Sequence, residues 1–152
     1  MNVAEFTFSR LRFMQSYGSR HLDASVLLLP LVGFLPAGDR RIVGTVAAVE
    51  NGLMEGGFVR RQQAPWLGRE EGAFLPCTCW LADCLAMQGR KDDARALLER
   101  VLSVSNDLGL LSEEFHVPSS RLLGNFPQAL THIAIVNTAL GLCGPTLQRG
   151  GG

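Results

Sequence analysis

Two adjacent carboxylates, Glu113 and Glu114, are the residues of this sequence whose types and spacing most directly allow chemistry. Gly109 before them can take the left-handed conformation that ends many helices, and Asn125 after them favours the start of another. The pair is therefore predicted to lie in a short loop between two helices. Hydrolysis of a glycosidic bond needs a carboxylic acid and a carboxylate on opposite sides of the bond. The alternative is a solvated loop with two ordinary surface glutamates.

The hydrophobic pattern predicts alternating buried and amphipathic helices that position this loop. A segment that is apolar all round indicates a buried helix, whereas a one-sided apolar stripe indicates a helix that is half exposed. Pro30 should kink or end the first buried helix. The buried helices are predicted at 22–33, 71–88 and 126–143, and the amphipathic ones at 40–51 and 91–105.

A long connection at 52–70 separates the first helical pair from the second. Loops of this length inside a compact domain are usually functional. The buried helices recur after about 50 residues, which exceeds the period of about 34–47 residues in common helical solenoids. Helical hairpins with long loops at one end therefore fit a toroid better than a solenoid array.

The bulk properties exclude several classes of partner. The formal net charge is zero over 152 residues, so nothing suggests a nucleic acid or an anionic membrane. The N-terminus lacks the continuous apolar core of a signal peptide. The longest apolar run, Val26–Leu35, is too short to span a bilayer. We therefore expect a soluble protein without a nucleic-acid or membrane partner.

Three of the four cysteines, Cys77, Cys79 and Cys84, lie in one apolar segment. On a helix the first and third share a face while the second points elsewhere, which differs from the paired cysteines of a zinc site. We expect buried free thiols, no metal and no cofactor. Together with the missing signal peptide, free thiols indicate a reducing cytoplasm.

Several segments resemble, in order, the C-terminal part of glycoside hydrolase family 15, the glucoamylases and bacterial trehalase-like enzymes. Ser112-Glu113-Glu114 is similar to the family loop (Ala/Ser)-Glu-(Gln/Glu), which carries the general base. Gly124–Ala129 is similar to a Gly-Asn-Phe-Pro-Gln-Ala segment of the bacterial branch. The other similar stretches are 16–19 with 22–25, 29–34 and 71–74, so that the resemblance covers roughly residues 13 to 142.

The resemblance implies an all-α fold in which helical hairpins form about half of an (α/α)6 toroid. It divides the sequence into an unassigned segment at 1–12, the C-terminal half of the catalytic domain at 13–143, and a tail at 144–152 that we expect to be disordered. In a complete enzyme the implied reaction is the inverting hydrolysis of an α-glucosidic bond, in trehalose or a malto-oligosaccharide.

The resemblance also implies roles for individual residues. Glu113 matches the general base, and Glu114 a substrate contact or a group that tunes the base. Arg60 matches a sugar-hydroxyl ligand, although Arg61 departs from the aromatic residue that follows it in the family. Glu71 either lines the same pocket or stabilises the N-terminus of a helix.

The general acid of the family lies in a Trp-Glu-type motif far upstream of the region that is matched. Here Trp66 and Trp80 are each followed by leucine, so neither offers that dipeptide. We expect the isolated chain to be a poor enzyme or none, and to associate with the missing half or with itself. The alternatives are a non-catalytic helical interaction domain and an inactive truncated remnant.

Overall fold

Five α-helices and five short strands make up the part of the chain that the computed structural model describes, residues 11–63 and 71–144. A 3-10 turn, Ala24–Leu27, leads directly into the first helix. The helices are α1 Leu28–Leu31, α2 Arg40–Leu53, α3 Leu75–Met87, α4 Lys91–Leu102 and α5 Ala129–Cys143. The strands are β1 Met54–Glu55, β2 Phe58–Val59, β3 Ala73–Phe74, β4 Glu114–His116 and β5 Arg121–Leu123.

Helix α3 is the centre of the arrangement. It is apolar on all sides, and it packs against the 3-10 turn and against all four other helices. The 3-10 turn with α1, α3 and α5 are the inner elements, whereas α2 and α4 each leave one charged face in solvent. This alternation of inner and outer helices confirms the predicted helical hairpins.

Helix α4 follows its predicted amphipathic pattern closely. Ala94, Leu97, Leu98 and Val101 are buried, while the charged residues between them are exposed. The helix ends at Leu102, three residues earlier than predicted, and this leucine is 46% exposed instead of lying on the buried face. In the part of the chain that the structure describes, no helix is both long and apolar enough to cross a membrane.

Two predicted helix starts are wrong, and both lie beside the glutamate pair. The third predicted helix begins at Leu75 instead of 71, because Ala73–Phe74 pairs as a strand with Glu114–Phe115. The last begins at Ala129 with Gln128 as its cap, so Asn125 is not the N-cap. Backbone amides and carbonyls that were expected inside helices therefore form hydrogen bonds around the glutamate pair.

The predicted helix end at Gly109 is also wrong. Gly109 has a φ of +75°, as expected for a turn glycine, but α4 has ended seven residues earlier. The turn is closed by Asn106, whose side-chain oxygen accepts hydrogen bonds from the backbone amides of Leu108 and Leu110. A short polar side chain that bonds to nearby amides competes with helix in this way.

The first inner element is a 3-10 turn and one turn of α-helix rather than a single long helix. Asp23 precedes it and accepts a hydrogen bond from the Ser25 amide at 2.8 Å, so the carboxylate caps the start of this element. Pro30 is accommodated inside α1, and the helix stops one residue later. The regular part is therefore shorter than the apolar pattern suggested.

A three-stranded antiparallel sheet, in the order β3-β4-β5, occupies the region that was predicted as a simple loop. Glu114 lies opposite Phe74 on one side and Leu123 on the other. A separate hairpin joins β1 to β2 through Gly56 and Gly57. These small sheets do not change the fold class, but the larger one determines where the two glutamates point.

The inner helices carry the cysteines as buried free thiols, which confirms that prediction for Cys77, Cys79 and Cys84; Cys143 is free and exposed. Burial raises the pKa of Cys79 and of Cys84 to about 12. Burial also raises the pKa of Cys77. Because the thiolate is the reactive form, these groups are inert at neutral pH.

A cavity of about 640 Å³ lies between α1, α3 and α5, and Asp83 is part of its wall. Asp83 is half-buried, and this desolvation raises its pKa to about 6, opposed by a hydrogen bond with the Thr138 hydroxyl. Lys91 also lines the cavity, but none of the ion pairs among the described residues includes Asp83. A carboxylate that is partly desolvated and has no cationic partner lowers the stability of the fold when it ionises.

Asp83→Asn is therefore expected to raise the free energy of unfolding at pH 7 by roughly 3 kcal/mol, at about 1.4 kcal/mol per pKa unit. The folded carboxyl has a pKa of about 6 and the ordinary value of an aspartate is 3.8, so between these values the native state binds more protons and stability falls as pH rises. Urea denaturation at pH 4 and pH 7 measures this. The exposed Asp107→Asn is the matched control, and an equal pH dependence in both variants would contradict the prediction.

Candidate active site

The segments that precede the three inner helices meet at one end of the described structure. The Ala24 amide donates to the carbonyl of Arg61 at 2.8 Å, and Asp23 forms a bridge with Gln62. The strand before α3 pairs with the strand that contains Glu114. Backbone hydrogen bonds thus join the first segment to the long connection and the second to the strand of Glu114, and the charges of Asp23, Arg61 and Glu71 all act on Cys77.

Hydrogen bonds from two other segments and from the neighbouring Ser112 hold the backbone at Glu113 and Glu114. The Glu113 amide donates to the Asn125 carbonyl at 3.0 Å, and the Glu113 carbonyl accepts from the Leu75 amide at 3.1 Å. The Ser112 hydroxyl donates to the Glu114 carbonyl at 2.6 Å. The glutamate pair is therefore part of a rigid frame and not of a solvated loop.

The first turn of α5 also supports this frame. The hydroxyl of Thr131, which is fully buried, donates to the Ser112 carbonyl at 2.9 Å. The Gln128 amide donates to the Leu111 carbonyl at 2.9 Å. Sequence reasoning missed Ser112 and Thr131 as supports, because a threonine on an apolar helix carries no signal of its own.

Thr131→Val is expected to lower the free energy of unfolding by about 1–3 kcal/mol, since it leaves the buried Ser112 carbonyl without its donor while the side-chain volume is kept. Chemical denaturation of the two proteins measures the difference. Ser103→Ala, at an exposed position after α4, removes a hydroxyl with little expected effect. Equal losses in both variants would mean that the buried hydrogen bond is not important.

Each carboxylate is fixed to a different neighbouring segment of the sheet. Glu113 Oε2 accepts from the Asn125 amide at 3.2 Å, just after β5. Glu114 Oε2 accepts from the Gly72 amide at 3.0 Å, just before β3. Because β4 lies between these strands, the two adjacent glutamates are held on opposite sides of it. Only the tertiary structure reveals that they have different environments.

Electrostatic effects on Glu114 identify the charged groups around it. Its pKa is raised, first by partial burial and then by the charges of Glu71 and Glu113. The hydrogen bond from the Gly72 amide and the charge of Arg61 act in the opposite direction. Three carboxylates and one guanidinium therefore form a single cluster, so that negative charge is concentrated at this end of the inner helices.

Of the two arginines in the connection, Arg61 is the one whose charge acts on Glu114. The side chain of Arg60 instead lies 3.8 Å from that of Glu55, with both groups about 40% exposed. The role of Arg60 as a sugar ligand stays a prediction. Sequence reasoning gave Arg61 less weight because its type departs from the family pattern.

Glu71 lies in the cluster, but it does not begin a helix. It precedes β3, four residues before α3 starts, so stabilisation of a helix N-terminus is the wrong alternative for this residue. Its charge raises the pKa of Glu114 and that of Cys77. Whether Glu71 contacts substrate stays a prediction.

Trp80 and His132 contact their neighbours through packing and hydrogen bonds, and the buried Nε2 of His132 has no hydrogen-bond partner among the described residues. Trp80 is half-buried and packs edge to face on Phe74, with ring centroids 6.5 Å apart. His132 is half-buried, and its Nδ1 donates to the Gln128 carbonyl at 2.7 Å. Trp66 and Glu70 lie outside the described residues. In the described part of the chain, no three His, Cys, Asp or Glu side chains form a group that could hold a metal ion.

Comparison with known proteins gives a consistent family match. The model of glycosyl hydrolases family 15 matches residues 3–140. A trehalase of Thermoplasma acidophilum is 43% identical over 129 residues, which are 84% of this chain and 22% of the trehalase. A trehalase of Mycobacterium tuberculosis is 43% identical over 136 residues, 87% of this chain and 20% of its own. The chain thus spans about a fifth of the length of these relatives.

Solved glycosidase structures have the same fold. A wild-type glycosidase superposes with a TM-score of 0.75 at 24% identity, covering 88% of this chain and 39% of that protein. A variant glycosidase in complex with glucose superposes with a TM-score of 0.74 at 22% identity. The helical hairpins described above are accordingly a portion of an (α/α)6 toroid.

Proposed function

The chain belongs to glycosyl hydrolases family 15, and from this premise we propose that it provides the general base, Glu113, for the inverting hydrolysis of an α-glucosidic bond. The observation that carries the proposal is the Glu113 carboxylate, held by the Asn125 amide within the charged cluster. Because several relatives are trehalases, we propose trehalose as the substrate. Malto-oligosaccharides are the second candidate, on the family resemblance alone.

In this mechanism Glu113 removes a proton from a water molecule that attacks the anomeric carbon. The glycosidic oxygen leaves with a proton from a carboxylic acid on the other side of the bond. Inversion requires these two carboxyl groups to lie about 6.5–9.5 Å apart, with room for the water between the base and the sugar. Glu114, Glu71 and Arg60 are the proposed sugar contacts, and Arg61 joins them because its charge reaches Glu114.

We propose that the general acid lies in the part of a family 15 enzyme that this chain does not match, since the chain spans about a fifth of its trehalase relatives. Within the chain, Glu55, Glu70, Glu71 and Glu114 are the other candidates. Glu55 is engaged with Arg60, and Glu114 with the Gly72 amide. The isolated chain is therefore proposed to be a poor catalyst.

An exposed apolar face on α5 supports association with that missing part. Leu130, Ile133, Val136 and Leu140 project into solvent along one side of the helix, and Ile133 and Leu140 are 57% and 66% exposed. A contiguous apolar stripe of this kind is uncommon on a monomeric surface and marks an interface. We propose that the remaining helices of the toroid cover it, whether they are supplied by the same gene product or by another.

A glucose-release assay tests the proposal directly. The purified chain is assayed with trehalose and maltose, alone and after co-expression with the N-terminal part of a family 15 trehalase. We expect no release by the chain alone and turnover in the co-expressed assembly. Robust turnover by the chain alone would contradict the proposal that the general acid lies outside the chain. The general acid would then have to be one of Glu55, Glu70, Glu71 and Glu114.

A thermal-shift screen separates the enzyme from the alternative, a non-catalytic helical interaction domain or inactive remnant. Trehalose, maltose, glucose and acarbose are added to the assembly and to its Glu113→Ala variant. Stabilisation by these sugars that is lost in the variant supports the enzyme. Indifference to every sugar, together with no turnover in the assembly, would favour the interaction domain, because the exposed face of α5 would then be its remaining functional feature.

We propose the cytoplasm as the location of the protein. The support is its four free cysteines, three of them buried, because disulfides persist mainly in oxidising compartments. Thiol labelling of the native protein in fractionated cells tests this, and recovery of the protein with oxidised cysteines from an oxidising compartment would contradict it.

A further inference from the structure

Gly124 lies directly against the side chain of Glu113. Its φ of +74° is in the left-handed region that favours glycine. A Cβ at this position would lie 2.9 Å from Glu113 Cβ and 2.9 Å from Glu113 Oε2. Contacts this short do not persist between non-bonded atoms, so any side chain at 124 forces Glu113 to move.

Hydrogen bonds restrain the backbone of Glu113 against such a side chain. Its amide donates to the Asn125 carbonyl and its carbonyl accepts from the Leu75 amide, so the peptide is held from two sides. Rotation of the Glu113 side chain relieves the contact with Oε2, whereas the contact with Cβ, whose position the backbone sets, requires the two backbone segments to move slightly apart. Either movement would carry Oε2 away from the Asn125 amide, which now lies 3.2 Å from it.

We infer that Gly124 and the Asn125 amide together position the Glu113 carboxylate, and the catalytic meaning of this inference rests on the function proposed above. The amide anchors one carboxylate oxygen, while none of the described residues donates a hydrogen bond to the other. Among the described residues the second oxygen therefore has no donor that competes with a water molecule. A general base has to be within hydrogen-bond reach of that proton, so a fixed rotamer has a direct effect on rate. Gly124 is a positioning residue in this account.

A second glycine, Gly72, lies beside Glu114 and shows why Gly124 is the informative position. The Gly72 amide donates to Glu114 Oε2, but a Cβ at 72 would lie 2.8 Å from the Phe115 carbonyl oxygen. Replacement of Gly72 would therefore push two strands apart and disturb the fold. At Gly124 the nearest atoms all belong to the Glu113 side chain, so its replacement acts on the proposed base itself.

The test compares Gly124→Ala with Gly109→Ala. Gly109 has nearly the same φ, +75°, but no atom lies within 4 Å of a Cβ built there. Both variants carry the same left-handed backbone strain, and only the first displaces Glu113. The ¹⁵N-labelled full chain is titrated with acid, and the amide shifts of Asn125 and Gly72 are followed by NMR. Glu113→Gln identifies the part of the Asn125 response that arises from this carboxylate.

In the wild-type chain and in Gly109→Ala, we expect the Asn125 amide to titrate with Glu113, because the carboxylate is its hydrogen-bond acceptor. In Gly124→Ala this response should fall by more than half, while the Gly72 amide still titrates with Glu114. A missing response at Asn125 in the wild-type chain would overturn the inference. An unchanged response in Gly124→Ala would overturn it as well.

The assembly with the N-terminal part of a family 15 trehalase provides a second readout. We expect Gly124→Ala to lower kcat by about 10²-fold with KM changed less than about twofold, since small misplacements of catalytic groups have effects of this size. A kcat equal to that of Gly109→Ala would overturn the positioning role. If the wild-type assembly does not hydrolyse trehalose, the proposed function fails, and the titration still decides whether Gly124 positions the carboxylate.

Discussion

Glu113→Gln is expected to lower glucose release from trehalose by the assembled enzyme by about 10²–10⁴-fold, the usual contribution of a general base. Glutamine keeps the size of the side chain and an oxygen that can accept from the Asn125 amide, so the frame around it should persist. What is lost is the ability to take a proton from water. The loss should appear in kcat, while KM stays close to the wild-type value.

The matched control is Glu99→Gln, at an exposed position on the outer helix α4. It makes the same change of charge and should leave turnover within a factor of two. Circular dichroism and thermal denaturation show whether either assembly has lost its fold. Turnover by Glu113→Gln within tenfold of the wild-type rate would exclude Glu113 as the base and would make Glu114 the next candidate.

Ile133→Asp and Leu140→Asp are expected to weaken association with the N-terminal part of the toroid by at least about 30-fold each. The two side chains are two helical turns apart on one face of α5 and more than half exposed. If this face is buried on assembly, each aspartate places an unpaired charge in an apolar interface, which costs several kcal/mol. Binding of the purified chain to a labelled N-terminal part measures the effect.

Leu108→Asp is the control for this surface, because Leu108 is 76% exposed in the turn after α4 and belongs to no apolar stripe. It should bind like the wild type. The exposed face of α5 could instead be covered by a second copy of the chain. Sedimentation of the chain alone tests for such a homodimer. A stable homodimer that both α5 variants dissociate, without any binding to the N-terminal part, would contradict the proposed closure of the toroid.

The sequence by itself determined the helices whose pattern is local. In α4 the apolar residues recur every three or four positions, and the four from Ala94 to Val101 are buried as that period predicts. The cysteines of α3 are buried and free for the same reason, since their neighbours are apolar on all sides. The motif Ser112-Glu113-Glu114 and its order relative to the other segments predicted the family, which the comparison confirms.

The tertiary structure alone decided how the site is held. Strands of two or three residues are too short to show an alternating pattern, and the pairing of β3 with β4 joins residues about forty positions apart. The sequence therefore could not reveal that β3 displaces the start of α3, or that Gly72 and Asn125 bind the two glutamates. These contacts depend on which segments the helices bring together.

The remaining differences between the predictions and the structure also arise because contacts between distant segments leave no local pattern in the sequence. Whether Arg60 or Arg61 reaches Glu114 depends on the direction of the chain after β2, which no local pattern records. The apolar character of α5 predicted burial on all sides, yet Leu130, Ile133 and Leu140 are exposed in this chain. Hydrophobic composition states how much surface a helix must bury, and only the packing of the other elements determines which part is covered.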